Sequence, residues 1–240
     1  MQVIACVDAL DLARRAADLF LDRLRRKPES AIAVPAGRTP RAMYGLLRAA
    51  HERDPSDFSR MRVFEVDELC PPAPADGYFW RQIRSELLDW ARVPAAQLHP
   101  FRVTAPDLEA MCREYEEAIV AVGGLDLVML GLGPNAHLAS NEPGSPLDSR
   151  TRPVTLVPGT VAYILTDEVI QGEVSSRSVT LGLGTIAAAR EVLVLVSGGH
   201  KRAPLRAMLE GPVTPDVPAS VLQRHTGCIV LATRDALENP

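Results

Sequence analysis

Short, almost wholly apolar runs alternate along the chain with longer stretches in which apolar side chains recur every third or fourth residue. The runs at 1–7, 31–34, 61–66, 125–130, 154–157, 178–183, 191–196 and 228–232 read as strands, and the most apolar of them suit strands covered on both faces. Helical patterns lie between them. Asp8 caps one in which Leu10, Leu12, Ala16, Leu19, Phe20 and Leu24 share a side, and another runs from Arg41 to about His51. A third follows Asp76 with Tyr78, Phe79, Ile83, Leu87 and Leu88 on one side, and 106–122 is amphipathic and stops at Gly123 and Gly124. Pro71, Pro72 and Pro74 form a stiff connector, while 159–176 has weak periodicity and mixed polarity, which suits a mobile lid. This alternation predicts an α/β fold: a mostly parallel, doubly wound, Rossmann-like sheet with helices on both faces, in one domain over 1–240.

Ligands of such sheets bind in the crevice outside the carboxyl ends of the strands, so residues just past each strand are the candidates for chemistry. The 125–130 strand ends in Gly131, Leu132 and Gly133 and enters a loop carrying Asn135, His137, Asn141 and Glu142. A histidine and a carboxylate on a glycine-bounded loop suit an imidazole held in one tautomer, although a helix cap with a surface histidine fits the same spacing. The 61–66 strand delivers Asp67 and Glu68. Neighbouring strand residues point to opposite faces, which puts Asp67 in the crevice, as a general base if burial raises its pKa, and Glu68 against solvent or an arginine. Capping the next helix is the plain alternative for this acidic pair. After 31–34, Gly37, Arg38 and Thr39 precede a helix whose N-terminal amides, with the Thr39 hydroxyl, can cradle an anion or simply make a turn. Lys201, beside His200 at another helix start, is a second candidate anion ligand.

Composition removes several classes of function. A formal net charge of −4 provides no basic field for nucleic acid, and 47% hydrophobic with 23% charged residues is ordinary for a globular domain. Cys6, Cys70, Cys112 and Cys228 form no C-x-x-C pair, so neither a zinc site nor a redox motif is written, and a reducing cytoplasm is the expected setting. No apolar run approaches the roughly 18 residues of a membrane span, and the N-terminus has no charged-then-apolar leader, so no membrane partner is expected.

The motifs VPAGRTP (34–40), FEVDEL (64–69), GGLDLVMLGLGPNAHLASNEPGSPLDSRTR (123–152), SVTLGLGTI (178–186), SGGHK (197–201) and LEGPVTPDVPASVLQRH (209–225) occur in this order over nearly the whole chain. In them the sequence resembles the glucosamine-6-phosphate deaminase/isomerase family, whose wider superfamily includes the 6-phosphogluconolactonases. The resemblance implies a reaction that opens a pyranose ring, moves a proton between C2 and C1, and expels the C2 amine as ammonia, with no metal or organic cofactor. Carried over by position, Asp67 takes the C2 proton, His137 shuttles the ring-opening proton and Glu142 orients it. The Gly37–Arg38–Thr39 loop and Lys201 hold the phosphate of a small sugar phosphate. A monomer or homodimer is expected, because little chain follows Ala232.

The sequence departs from that pattern in three places. Asn135 and Ala136 replace the aspartate and glycine of the family's Asp-Gly-His, removing one negative charge beside the imidazole and restricting the loop to angles open to ordinary residues. Thr166 stands where the family carries a phosphate arginine, with Arg38 as a substitute from another direction, and Val154 stands where bacterial members carry the second of two basic allosteric residues, Arg152 being the first. Three other readings therefore accompany the deaminase: an isomerase of another amino sugar that releases no ammonia, a 6-phosphogluconolactonase-like hydrolase, and a catalytically impaired sugar-binding protein.

Overall fold

In the computed structural model, which describes residues 1–238, β1 (Gln2–Cys6), α1 (Ala9–Arg26), β2 (Ala31–Val34), α2 (Arg38–Arg53), β3 (Arg62–Glu65) and β4 (Asp67–Leu69) open the chain. They are followed by α3 (Tyr78–Ile83), which runs through a π turn into α4 (Asp89–Ala91), then β5 (Leu98–His99), α5 (Leu108–Ala121) and β6 (Leu127–Gly131). The remainder comprises β7 (Arg152–Thr155), α6 (Pro158–Ile164), β8 (Arg177–Thr180), α7 (Leu183–Ala187), β9 (Glu191–Val196), α8 (Arg202–Glu210), β10 (Cys228–Thr233) and α9 (Arg234–Leu237).

Seven strands pair wholly in parallel in the order β1-β10-β9-β6-β2-β3-β5. Side-chain alternation divides the core in two. Leu127 and Met129 of β6 face the layer formed by α1, α2 and the 78–91 helices, whereas Val128 and Leu130 face α5, α7 and α8. Both faces are therefore covered, and each large aliphatic side chain so buried contributes roughly 1.5–3 kcal/mol. The buried Asp126 locks the amino end of this arrangement by accepting bonds from Lys27, from the Ala31 amide and from Arg190. Strand order reverses between β2 and β6, which pair through Ile32–Leu127 and Ala33–Val128. The loops leaving these two strands must diverge to opposite faces, so a crevice opens above their carboxyl ends.

The expected α/β fold is present, with several corrections. The runs at 154–157 and 178–183 do not extend the parallel sheet; β7 and β8 form an antiparallel sheet with β4, in the order β4-β8-β7. Asp67 is consequently the first residue of a strand rather than the end of one: it pairs with Thr180, and the 61–66 run breaks after Glu65. The stretch 159–176 contains the helix α6, whose Pro at the first turn and apolar Val161 and Ile164 are too short a signal to read as periodic. Helix α2 begins at Arg38, so Gly37–Arg38–Thr39 is its N-cap and first turn.

Candidate active site

The crevice at the β2/β6 reversal is lined from four directions: Gly37 to Pro40 after β2, Asp67 from β4, Leu130 to Ser140 from β6 and its loop, and Thr160 to Ile170 from α6 and the turns after it. Lys201 closes its far side. The structure thus brings Asp67, His137, Gly37, Arg38, Thr39 and Lys201 to one cleft, with Asn135 and Glu142 bonded behind His137.

Asp67 presents one edge to the cleft, but its carboxyl is walled in by protein. It accepts a 2.7 Å bond from the Ser140 hydroxyl, which also meets the Ser178 hydroxyl at 2.9 Å. Burial raises its pKa to about 7, the Ser140 bond opposing that shift and the nearby Glu68 adding to it. A carboxylate tuned to neutrality is both substantially ionised and basic enough to take a carbon-bound proton. Glu68 does not meet solvent or an arginine as expected. It is fully buried and accepts the amides of Leu69, Tyr78, Phe79 and Trp80, so it caps α3, the plain alternative for this acidic pair.

His137 Nδ1 lies 2.7 Å from Asn135 Oδ1, and Asn135 Nδ2 donates to Glu142 Oε2 at 2.7 Å. Glu142 itself is 3.7 Å from Nδ1, so the amide bridges imidazole and carboxylate. Because the amide nitrogen is committed to Glu142, its oxygen faces the ring and selects the Nδ1–H tautomer, leaving the Nε2 lone pair free. Burial pushes the imidazole down to about 4, against the pull of Glu142 and with help from Lys201, so it is neutral at physiological pH. The ring lies against Gly133, where an added Cβ would stand 2.3 Å from its Cδ2 and Nε2. Gly133→Ala is therefore expected to swing the imidazole out of place and lower kcat/KM more than about 100-fold, the misplacement penalty of a reacting group, with an unchanged far-ultraviolet circular dichroism spectrum as the control.

Ala136 departs from expectation: its φ is +64°, the left-handed region that glycine enters freely. Strain of about 1–2 kcal/mol is offset by burial of the Ala136 methyl in the core and by the Ala219 amide bound to its carbonyl.

At the other end of the cleft, α2 begins at Gly37 without a side-chain cap, leaving its first amides open. Gln82 of α3 holds that turn, accepting from the Gly37 amide and donating to the Gly37 carbonyl. Tyr163 stands between two cations, with the Arg38 guanidinium 4.9 Å and the Lys201 ammonium 4.7 Å from its ring centre. Lys201 is buried, no carboxylate among the described residues pairs with it, and burial is the main cause of its lowered pKa. Arg38 donates to Thr166 Oγ1 at 2.8 Å, so it reaches the position where the resemblance predicts a phosphate arginine. Ser140, Gln82 and Tyr163 are site residues that sequence reasoning missed. Gln82 was detectable as a polar residue on the apolar side of its helix; Tyr163, in a segment without periodicity, carried no signal.

The sequence model of the glucosamine-6-phosphate isomerases/6-phosphogluconolactonases matches residues 8–231. The chain belongs to that family. Among glucosamine-6-phosphate deaminases it is 38% identical to one from Cutibacterium acnes, covering 97% of this chain and 89% of the relative, and 35% identical to one from Arthrobacter sp. strain FB24, covering 98% and 91%. The structure of a monomeric glucosamine-6-phosphate deaminase superposes with a TM-score of 0.92 at 29% identity over 98% of both chains. A 6-phosphogluconolactonase from Trypanosoma cruzi shares the fold, with a TM-score of 0.77 at 22% identity over 98% of this chain and 95% of the other. In this family member the loop after β6 places an asparagine between its histidine and its glutamate.

Proposed function

We propose that this protein converts a glucosamine 6-phosphate-type amino sugar phosphate to the ketose phosphate and ammonia. The observation that carries this reading is a carboxyl poised near neutrality, Asp67, sharing one cleft with a neutral, tautomer-fixed imidazole and an unpaired buried ammonium. His137 Nε2 accepts the anomeric hydroxyl proton and returns it to the ring oxygen, which opens the pyranose. The open-chain aldehyde acidifies the C2 proton, Asp67 removes it and delivers it to C1, and water replaces the resulting C2 imine nitrogen, which leaves as ammonia. The deaminases to which the chain is similar support this reading. Lys201, Arg38 and the open amides of α2 take the phosphate, a dianion suited to two cations and a helix N-terminus. The enzyme works as one catalytic unit, as a monomer or dimer in a reducing cytoplasm, the latter consistent with four buried free cysteines.

The pH dependence follows from Asp67. It must be ionised to act, so kcat/KM is expected to rise tenfold per pH unit below about 7 and level off above, while His137, already neutral, adds no limb above pH 5. Initial rates of ammonia release from pH 5 to 9 test this; a profile flat across pH 7 would contradict it. Lys201→Met keeps the contact with Tyr163 but removes the charge. It should raise KM for the phosphorylated sugar about 10–100-fold, the equivalent of a charged hydrogen bond worth about 1.5–3 kcal/mol.

A further inference from the structure

On either side of Asp67 in the chain stand two acids that the reaction does not use. Glu65 and Glu68 are both fully buried, and their carboxyls lie within hydrogen-bond reach of one another. No lysine or arginine among the described residues pairs with either. Two carboxylates cannot both ionise at such a distance without a compensating cation, so the pair retains a proton. The hydrogen bonds decide which residue holds it. Glu68 accepts four backbone amides at 2.8 to 3.2 Å, each favouring its charged form, and sits at the N-terminus of α3. Glu65 accepts only the Phe101 amide, at 2.8 Å through Oε2, and its buried Oε1 has no donor.

We infer that Glu65 is a neutral carboxylic acid that donates its proton to Glu68, confines the pair's single charge to Glu68, and so acts as a positioning residue for the cleft. Burial drives the Glu65 carboxyl well above the ordinary range, and the Glu68 charge drives it further. The consequence reaches the site through α3. Its first turn is held by Glu68; its Gln82 fixes the Gly37 turn, and the Tyr78 hydroxyl donates to the carbonyls of Gln171 and Glu173 in the segment after α6. The charge on Glu68 is also one of the causes that hold Asp67 near neutrality. Phosphate turn, covering segment and base are thus braced against one proton.

The test combines infrared spectroscopy with kinetics of Glu65→Gln, a near-isosteric change that keeps a neutral donor towards Glu68. At pH 9, where Asp67 is ionised, the full-length protein should show the carbonyl stretch of a protonated carboxyl, and Glu65→Gln should abolish it. This arm is independent of the proposed reaction. In the kinetic arm, which rests on Asp67 as the base, Glu65→Gln should stay within about threefold of the parent kcat/KM with its acidic limb still near pH 7. Glu65→Leu, which leaves Glu68 without that donor, should lose more than tenfold. Absence of the band, or its persistence in Glu65→Gln, overturns the assignment, as does a fall of the Glu65→Gln limb by a pH unit, which would mean that a charge had been removed. A protein with the expected band but no C2 chemistry would retain the Glu65 assignment and reject the proposed reaction.

Discussion

Asp67→Asn is expected to reduce kcat about 10³-fold or more while changing KM little, because general base catalysis contributes roughly 10²–10⁴ and asparagine has no basic lone pair to replace it. The Ser140 hydroxyl can still donate to the amide oxygen, so the side chain should stay in place. The same variant should be more stable than the parent, and the pH dependence of that gain identifies its cause. Unfolded, the carboxyl titrates near its ordinary value of 3.8; folded, it titrates at about 7. Between those values the folded protein binds the extra proton, so parent stability falls as pH rises from about 4 to 7, and the cost is fully present above 7. The uncharged amide of the variant carries no such cost. After allowance for solvent at the cleft edge, the gain at pH 8 should be about 1–3 kcal/mol, several degrees in Tm, shrinking towards zero near pH 4. Differential scanning calorimetry at both pH values checks it. A variant inactive but destabilised at pH 8 would place Asp67 in the scaffold instead.

His137→Gln is the second large effect. In the proposed reaction the imidazole serves ring opening, so loss on the cyclic amino sugar phosphate should reach about 10²–10³-fold, against less than tenfold on an analogue locked in the open-chain form, which would need only Asp67. Equal losses on both would contradict the role. In the proposed reaction Glu142 and Asn135 act through this ring: Asn135 is bonded to both Glu142 and Nδ1 and passes on the orientation without itself carrying a charge. That geometry accounts for an imidazole displaced to about 4 rather than raised by its carboxylate, since burial outweighs an attraction that acts across 3.7 Å through an interposed amide.

Much of this architecture was legible in the residues. The apolar β6 run, its glycines and the alternation of strand with helix predicted the parallel sheet, and the rule that crevices open at carboxyl strand ends located Asp67, His137 and Lys201. What was not legible depends on contacts distant in sequence. The antiparallel sheet forms because β4 finds β8 more than a hundred residues away, and a strand as short as Arg177–Thr180 says nothing about its partner. Glu68 follows the plainer of its two readings, the cap of the next helix, rather than the surface or ion-paired acid, because backbone amides within twelve residues satisfy it. Ala136 shows the limit from the other side. Sequence forbids it the left-handed region only weakly, and core packing supplies enough to hold it there.

The central claim is that this cleft removes the C2 proton of an amino sugar phosphate and releases its nitrogen. Proton magnetic resonance of the purified protein in heavy water with glucosamine 6-phosphate, with ammonia assayed in the same tube, tests it most directly. The account predicts that the C2 proton signal of the sugar decays while ammonia accumulates in step with ketose phosphate, and that Asp67→Asn abolishes both. An intact C2 signal with no ammonia would contradict it, and loss of the C2 proton without ammonia would make the protein an isomerase that stops before the second half of the reaction.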